Sequence, residues 1–443
     1  MKKIECPLSS HARESKRSIA ITSPSTSWTY FSCNELVEGI ASTLRSRGVK
    51  AGDRITLFPT QHFLSPLIFF ALFRLGAIAC PLSPHLPLAL ISQILDTIDS
   101  SLLLTQDDTI CFKVKKPILL CSQLIRVKAA PSHTFLYEEA HATYLFTSGT
   151  TAQPKIACHS LGNHYYSALG SNVHIPLTQG DCYLLSLPLY HIAGIAILFR
   201  TFLAGATLLL SHEIDHSDAT HLSLVPTQLY RLMRAPIHTL PKHILLGGAP
   251  ISYNLYMKAK KKGLMVHPTY GMTEMSSQIS THNGLSPFSL GHPLLYREIK
   301  IAEDGEICVR GATLFQGYFT KQEGCVLPLD GEGWFCTKDL GTYFPQIGLQ
   351  FLGRKDRLFI SGGENIYPEE IETILEEIEE VERAKVVPVP DNEFGMRPVA
   401  YIKSVKKHNE QKLRNFLSSK LPKYKVPLAF FSLDDVATKY YSV

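Results

Sequence analysis

The stretch "DRITLFPTQHFLSPLIFFALFRLGAIACPLS" (Asp53–Ser83) decides the fold. "DRITLFP" is a short run of strand type, "LSPLIFFALFRLG" has the length and composition of a helix, and "AIACPL" is strand-like again. Strand, helix and strand in succession build largely parallel sheets, because parallel neighbours need a crossover. This is also the most apolar part of the chain. Pro66 and Arg74 interrupt it and Gly76 breaks it, so it predicts a buried helix followed by a strand, not a membrane span.

The pattern recurs downstream. "DCYLLSLPL", "IAILFRTFLAG" and "ATLLLS" repeat it, and "HILLGGAP" runs into the helical "SYNLYMKAKKKG". Near residue 340 the character changes. "GEICVRG", "GWFCTKDLGTYF" and "GLQFLGR" are short strands with turn residues between them, as in a small antiparallel unit. After "GRKDR" comes "PEEIETILEEIEEVERA", read as one amphipathic helix with Ile371, Ile374, Leu375 and Ile378 on its apolar face. "KVVPVPD" and "PVAYIKS" read as strands and "EQKLRNFLSSKL" as a helix. The expected fold class is α/β. A large N-terminal domain (1–353) has stacked mixed or parallel sheets with helices and the small antiparallel unit. A small, mobile α+β C-terminal domain (354–443) follows a hinge at 354–357.

The chain has 443 residues, of which 45% are hydrophobic, enough for more than one core. Its net charge of +5, without a long basic run, argues against nucleic acid and suits anionic small molecules. None of the ten cysteines falls in a CxxC pair, and Cys80, Cys182 and Cys308 sit in apolar runs. Reduced thiols in a cytoplasmic protein are expected, not a zinc or disulfide framework. The start, "MKKIECPLSSHARESK", carries charge but no apolar segment of a secretory signal.

Several stretches have residue types suited to chemistry. In "YLFTSGTTAQPKIACHS" (Tyr144–Ser160), Thr147, Ser148, Gly149, Thr150 and Thr151 precede Lys155. Hydroxyls, a mobile backbone and a cation can surround phosphate oxygens, and a polar hairpin loop is the plainer alternative. The spacing is not that of a Walker A loop. "SLPLYHIAG" puts His191 at the end of an apolar strand, as a functional group or a hydrogen-bonded core residue. In "ILLGGAP", Gly247 and Gly248 end a strand, where a flat ring can lie on bare backbone. In "HPTYGMTEMSS", Tyr270 can stack on that ring, Thr273 offers a hydroxyl, and Glu274 is a hard oxygen ligand for Mg²⁺; an ordinary strand–turn–helix with a capping threonine is the alternative. Asp339 in "GWFCTKDLG" can accept two ribose hydroxyls or simply close a turn.

The order of these stretches, with YGxTE followed by Asp339 and GRxDxxxxxGGExIxPxEIE, resembles the adenylate-forming superfamily of acyl-CoA synthetases, luciferases and peptide-synthetase adenylation domains. The likeness runs from near residue 28 onward. It implies two half-reactions: a carboxylate attacks the α-phosphate of ATP, then a thiol, usually of coenzyme A, displaces AMP. It further implies that Thr147, Ser148, Gly149, Thr150, Thr151 and Lys155 hold the outer phosphates. Gly247, Gly248, Ala249, Tyr270 and Gly271 would frame the adenine. Thr273 would touch the α-phosphate and Glu274 would hold Mg²⁺. Asp339 and Arg354 would bind the ribose, Asp356 would be the hinge, and Gly363 would line the pantetheine tunnel.

Within that superfamily, "SLPLYHIAGIAILFRTFLAGATLLL", "HLSLVPTQLYRLM", "LFISGGENIYPEEIE" and "VPDNEFGMRPVAYI" look like the 2-succinylbenzoate–CoA ligases of menaquinone synthesis. That narrower likeness implies His191 as a catalytic residue and Arg200 as partner of the substrate's second carboxylate. A guanidinium in "IAILFRTFLAG" is also costly to bury unless it meets an anion or reaches solvent. Two departures stand out. Ala152 replaces a usual glycine, and Lys439 in "ATKYYSV", the lysine at the place of the family's C-terminal catalytic lysine, lacks the preceding glycine and the following helix. The expected protein is therefore an acid–thiol ligase using ATP, Mg²⁺ and CoA, with assembly as a homodimer a further expectation. A ligase for another aryl or fatty acid, and a non-catalytic nucleotide-binding homologue, are the alternatives.

Overall fold

The computed structural model describes residues 2–106, 116–124, 134–147, 155–211, 218–237, 239–282, 289–404 and 409–433. In the opening stretch, strand Arg54–Leu57, helix Leu64–Leu75 and strand Ile78–Pro81 form in the expected order, and the two strands pair in parallel. Residues 64–73 of the helix are all buried, as an all-round apolar sequence requires. Pro66 sits in the first turn, where its missing N–H removes no intrahelical bond. Gly76 ends the helix in the left-handed region at φ 69°. Arg74 keeps its charge in company: Nη1 lies 3.2 Å from the Glu38 carboxylate and Nη2 donates to Asn34. Among the described residues no helix is long and apolar enough to cross a membrane.

Two large sheets organise the N-terminal region. The eight-stranded sheet runs in the spatial order 324–326, 317–320, 155–160, 141–147, 78–81, 54–57, 102–105, 118–120. It is parallel from strand His141–Thr147 outward through 118–120, and antiparallel on the other side. The nine-stranded sheet has a parallel centre: strands Val266–Met272, His243–Leu246, His221–Leu224, Cys182–Leu184, Thr207–Leu209 and Ile19–Thr22. Helices Tyr30–Ser46, Leu64–Leu75 and Ile192–Leu203 join both sheets in one continuous core, in which Phe69, Phe70, Phe73, Phe199 and Phe202 meet. The expected antiparallel unit is a four-stranded sheet, Glu298–Ile301, Glu306–Arg310, Phe335–Phe344 and Gly348–Arg354.

The C-terminal part has a core of its own, drawn from Phe359 to Phe430. One expected element is shorter here. The helix stops at Leu375, and Val381–Asp391 is a strand in a long antiparallel hairpin with Gly395–Ser404. Glu372 within the helix and Glu376 at its C-cap bond the hairpin. Glu372 Oε1 accepts the Val386 N–H at 2.7 Å, and Glu376 Oε1 accepts that of Ala384 at 3.1 Å. Tertiary pairing overrides a modest helical preference.

Candidate active site

Several of the candidate residues lie on or beside strand Val266–Met272 and the turn after it. At one end lies Gly247, just past strand His243–Leu246, where a Cβ would stand 2.5 Å from Thr269 Cγ2. Only glycine lets these backbones approach so closely. Gly248 follows at φ 79°, and Ala249 is exposed. Gly271 is likewise fixed by its neighbours: a Cβ would meet the Ser277 carbonyl at 2.1 Å, at a register shift between strands.

Tyr270 is buried, and its hydroxyl donates to Asp339 Oδ2 at 2.7 Å. Asp339 faces Arg354 across the antiparallel pair, and Arg354 Nη1 donates to Asp339 Oδ1 at 2.8 Å. The same guanidinium forks onto Asp356, with Nε–Oδ1 at 3.2 Å and Nη2–Oδ2 at 3.1 Å. Burial raises the Asp339 carboxyl pKa against the pull of Tyr270 and Arg354, whereas its bonds to Arg354 hold exposed Asp356 low. Lys338, just before Asp339, has φ 63°, and its N–H is held by Glu306 Oε1 at 2.8 Å. A residue in that region is strained, and such strain gathers at sites whose geometry must be fixed.

Beyond Tyr270, Thr273 and Glu274 begin a single 3₁₀ turn. The Thr273 carbonyl accepts from His159 Nε2 at 2.7 Å. Glu274 is buried, and its Oε1 accepts the Tyr318 hydroxyl at 2.6 Å. Lys155 Nζ stands 4.6 Å from the centre of that tyrosine ring. Thus the lysine after the hydroxyl-rich loop, an aromatic bridge and the candidate metal ligand are contiguous. Thr147 and Lys155 are register partners in an antiparallel pair. Ser148, Gly149, Thr150, Thr151 and Ala152 lie outside the described residues, as does Lys439.

The turn continues into Ser276 (φ 54°) and Ser277 (φ 105°), two successive non-glycine residues with positive φ. Ser276 Oγ donates to Thr313 O, and Arg297 Nε donates to Gln278 O, pinning the segment from both sides. Ser277 then presents its hydroxyl to Arg200 Nη2 at 3.0 Å. Arg200, on helix Ile192–Leu203, is 2% exposed, its Nε has no hydrogen-bond partner, and among the described residues no carboxylate pairs with it. Arg297 is buried nearby, satisfied by backbone carbonyls, its pKa lowered to about 9 by burial and by the charge of Arg200. Among the described residues neither of these two buried guanidiniums has a carboxylate partner, so this part of the interior is strongly positive.

His191 is not at a strand end. The strand stops at Leu184, and His191 is the N-cap of helix Ile192–Leu203, exposed, with no capping hydrogen bond from its side chain. Partial desolvation lowers its pKa. Gly363 lies apart from these residues in sequence, in the turn of the hairpin Phe359–Ser361/Glu364–Ile366, at φ 86° with open space where a Cβ would be. Tyr318, Ser277 and Arg297 were missed by sequence reasoning. In "LFQGYFT", nothing marks Tyr318 off from any strand aromatic.

The fit to Mg²⁺ is chemical. Glu274 is a buried hard-oxygen donor whose carboxylate accepts from a neutral hydroxyl, and among the described residues no group of three His, Cys, Asp or Glu side chains could hold a metal alone. That suits an ion bound chiefly through substrate phosphates.

Residues 8–319 match the AMP-binding enzyme family, and residues 370–438 match the AMP-binding enzyme C-terminal domain. The chain belongs to the AMP-binding enzyme family. Among curated members, a 2-succinylbenzoate–CoA ligase of Salmonella typhimurium is 33% identical, over 90% of this chain and 87% of the relative. One of Bacillus licheniformis is 35% identical, over 89% and 88%. Among solved structures, o-succinylbenzoate CoA synthetase (MenE) from Bacillus subtilis in complex with the acyl-adenylate intermediate OSB-AMP superposes with a TM-score of 0.87 at 30% identity, covering 98% of this chain and 95% of that one. The same enzyme with ATP and magnesium ion gives 0.87 at 31%, covering 98% and 96%. The AMP-binding family thus accounts for both the large two-sheet region and the small separate core.

Proposed function

We propose that this protein is an AMP-forming acid–thiol ligase that converts 2-succinylbenzoate, ATP and CoA into 2-succinylbenzoyl-CoA, AMP and diphosphate. In the first step a carboxylate oxygen of the acid attacks the α-phosphorus and the bond to the leaving diphosphate breaks. In the second, the CoA sulfur attacks the acyl carbon and AMP leaves. Both steps bring anions together, so fixed cations and donors supply most of what a catalyst can give. Glu274 would hold Mg²⁺, which when bound neutralises phosphate charge. Lys155 would steady the outer phosphates, Asp339 and Arg354 the ribose, and Thr273 the α-phosphate. Tyr318 would orient Glu274. His191, the N-cap of its helix, would border the acid. Lys439 would bridge the carboxylate and α-phosphate in the first step, and Gly363 would line the path of the pantetheine arm once residues 354–443 turn about Asp356.

The observation that carries the choice of acid is Arg200. A guanidinium so buried, which among the described residues has one hydroxyl partner, an unpaired Nε and no carboxylate, calls for an anion that a ligand can supply. An aryl acid with a second, aliphatic carboxylate supplies it. The test is AMP release from ATP and CoA across a panel of aryl, fatty and dicarboxylic acids, with wild type and Arg200→Leu. The expected result is turnover of 2-succinylbenzoate, severely reduced by the substitution. Preference for a monocarboxylate, insensitive to Arg200, would move the assignment to another acid. ATP binding without diphosphate exchange for any acid would make the chain a non-catalytic homologue. A cytoplasmic location and a homodimer belong to the same proposal, the latter to be read from sedimentation of the pure protein.

A further inference from the structure

Two cysteine pairs bring sulfurs into contact, Cys158–Cys325 with Sγ atoms 2.7 Å apart and Cys308–Cys336 at 3.4 Å. The first pair is the unusual one. Cys158 lies on strand Lys155–Ser160 and Cys325 on the edge strand Gly324–Val326, with strand Gly317–Thr320 between them. Cys158 is in register with Gly317, which has no side chain, φ 123°, and a backbone so close to the edge strand that a Cβ would stand 2.3 Å from Val326. Only a glycine at this position allows the edge strand to come so close, and the two sulfurs lie on the same face of the sheet, with Ile156 and Phe319.

The pair is asymmetric. Cys158 is fully buried and Cys325 half-buried, so an oxidant in solution reaches Cys325 first. Around the Cys325 sulfur stand the Tyr144 hydroxyl at 3.6 Å and His141 Nδ1 at 4.0 Å, besides the Cys158 thiol. When Cys325 is a thiolate, all three can donate to it, which lowers its pKa, while burial raises that of Cys158. A stabilised thiolate outside and a protonated thiol behind it are a nucleophile and a resolving group. Neither group has a part in the reaction proposed above.

We propose that Cys158 and Cys325 form a reversible oxidation site that consumes a hydroperoxide and closes to a disulfide. The Cys325 thiolate attacks the distal peroxide oxygen, the O–O bond breaks, and the alkoxide or hydroxide released takes a proton, leaving Cys325 as a sulfenic acid. The Cys158 sulfur then attacks Cys325, its proton leaves with the hydroxyl as water, and the S–S bond forms. Two thiols and one hydroperoxide thus give one disulfide, one alcohol (or water) and one water. A dithiol reductant reverses it by exchange. The bond ties the strand bearing Lys155 to the sheet edge.

The test treats the reduced full-length chain with a stoichiometric amount of hydrogen peroxide, blocks remaining thiols by alkylation, and maps peptides by mass. Cys158 and Cys325 should disappear together into one linked peptide, at least ~10-fold faster than Cys308 and Cys336, and return with dithiothreitol. Cys158→Ala should leave a Cys325 sulfenic acid that dimedone captures, and Cys325→Ser should leave Cys158 reduced. A Cys308–Cys336 bridge forming as fast, or Cys325 passing to the sulfinic acid in the wild-type chain without a linked peptide, would overturn the proposal. The comparison of the two pairs in the unaltered chain decides it even where a variant folds poorly, and none of these readouts depends on which acid the protein activates.

Discussion

Replacing Arg200 by methionine should make the protein more stable and a worse enzyme at once. Among the described residues the guanidinium has one side-chain hydrogen bond, to Ser277 Oγ, and an unpaired buried Nε. Losing that bond costs about 1.5–3 kcal/mol, as for other hydrogen bonds to charged groups. Removing the buried charge returns several kcal/mol of desolvation penalty, and an unbranched methionine fills much of the same channel. The net expectation is a gain of about 1–3 kcal/mol, or a few degrees in Tm for a domain of this size. With the dicarboxylate present the sign reverses. Losing one partner of a buried charge pair costs about 2–5 kcal/mol, so kcat/KM for 2-succinylbenzoate should fall by roughly 30- to several-thousand-fold. Thermal denaturation of the free protein and AMP release with paired mono- and dicarboxylic acids are the two assays. A methionine variant that is destabilised and that loses both acids equally would show Arg200 to be a structural cation, and the reasoning would fail.

Other outcomes follow from the same geometry. His159, His221 and His267 are buried with pKa values pushed down to about 4, by desolvation in each case. A depressed histidine binds its proton more readily in the unfolded chain, so its contribution is intact above pH 6.5 and is lost as pH falls from 6.5 towards 4, at about 1.4 kcal/mol per pH unit for each group. Urea titrations at pH 7.5 and pH 5 should differ accordingly, and a flat profile would contradict the buried-neutral assignment. Gly247→Ala drives a Cβ into Thr269 and should cost about 1–3 kcal/mol, with a raised Kd for ATP in calorimetry. Tyr318→Phe leaves a buried carboxylate oxygen of Glu274 without its donor, a loss of about 1–3 kcal/mol, and should slow diphosphate exchange more than it weakens nucleotide binding.

Much of the fold was legible because it rests on local pattern. Helix Leu64–Leu75 announces itself by continuous apolarity between a proline-tolerant first turn and Gly76, and the glycine pair after His243–Leu246 marks a backbone approach that the structure contains. The end of the helix at Leu375 was not legible, since Glu372 within it and Glu376 at its C-cap suit a longer helix equally well until the Val386 and Ala384 amides are in place. His191 was set on a strand for the same reason: apolar residues flank it on both sides, and only the described backbone separates Leu184 from the helix start. At the candidate site, residues with a rare chemical type in a tight motif, such as Glu274 and Asp339, stand out as candidates from sequence. Those that become candidates only through what they face, such as Tyr318 and Ser277, do not. Arg200 sits between these cases, a charge in an apolar run whose cost was visible before its surroundings were.

The separate core of the C-terminal part has a consequence for how the molecule fails. It is built from few residues, so its margin against conformational entropy is thin beside that of the two-sheet region. On warming, this part should melt first, while the Gly247, Tyr270 and Asp339 neighbourhood stays folded. Heat-damaged molecules would then go on sequestering nucleotide without turning it over, acting as a silent sink for their own substrate.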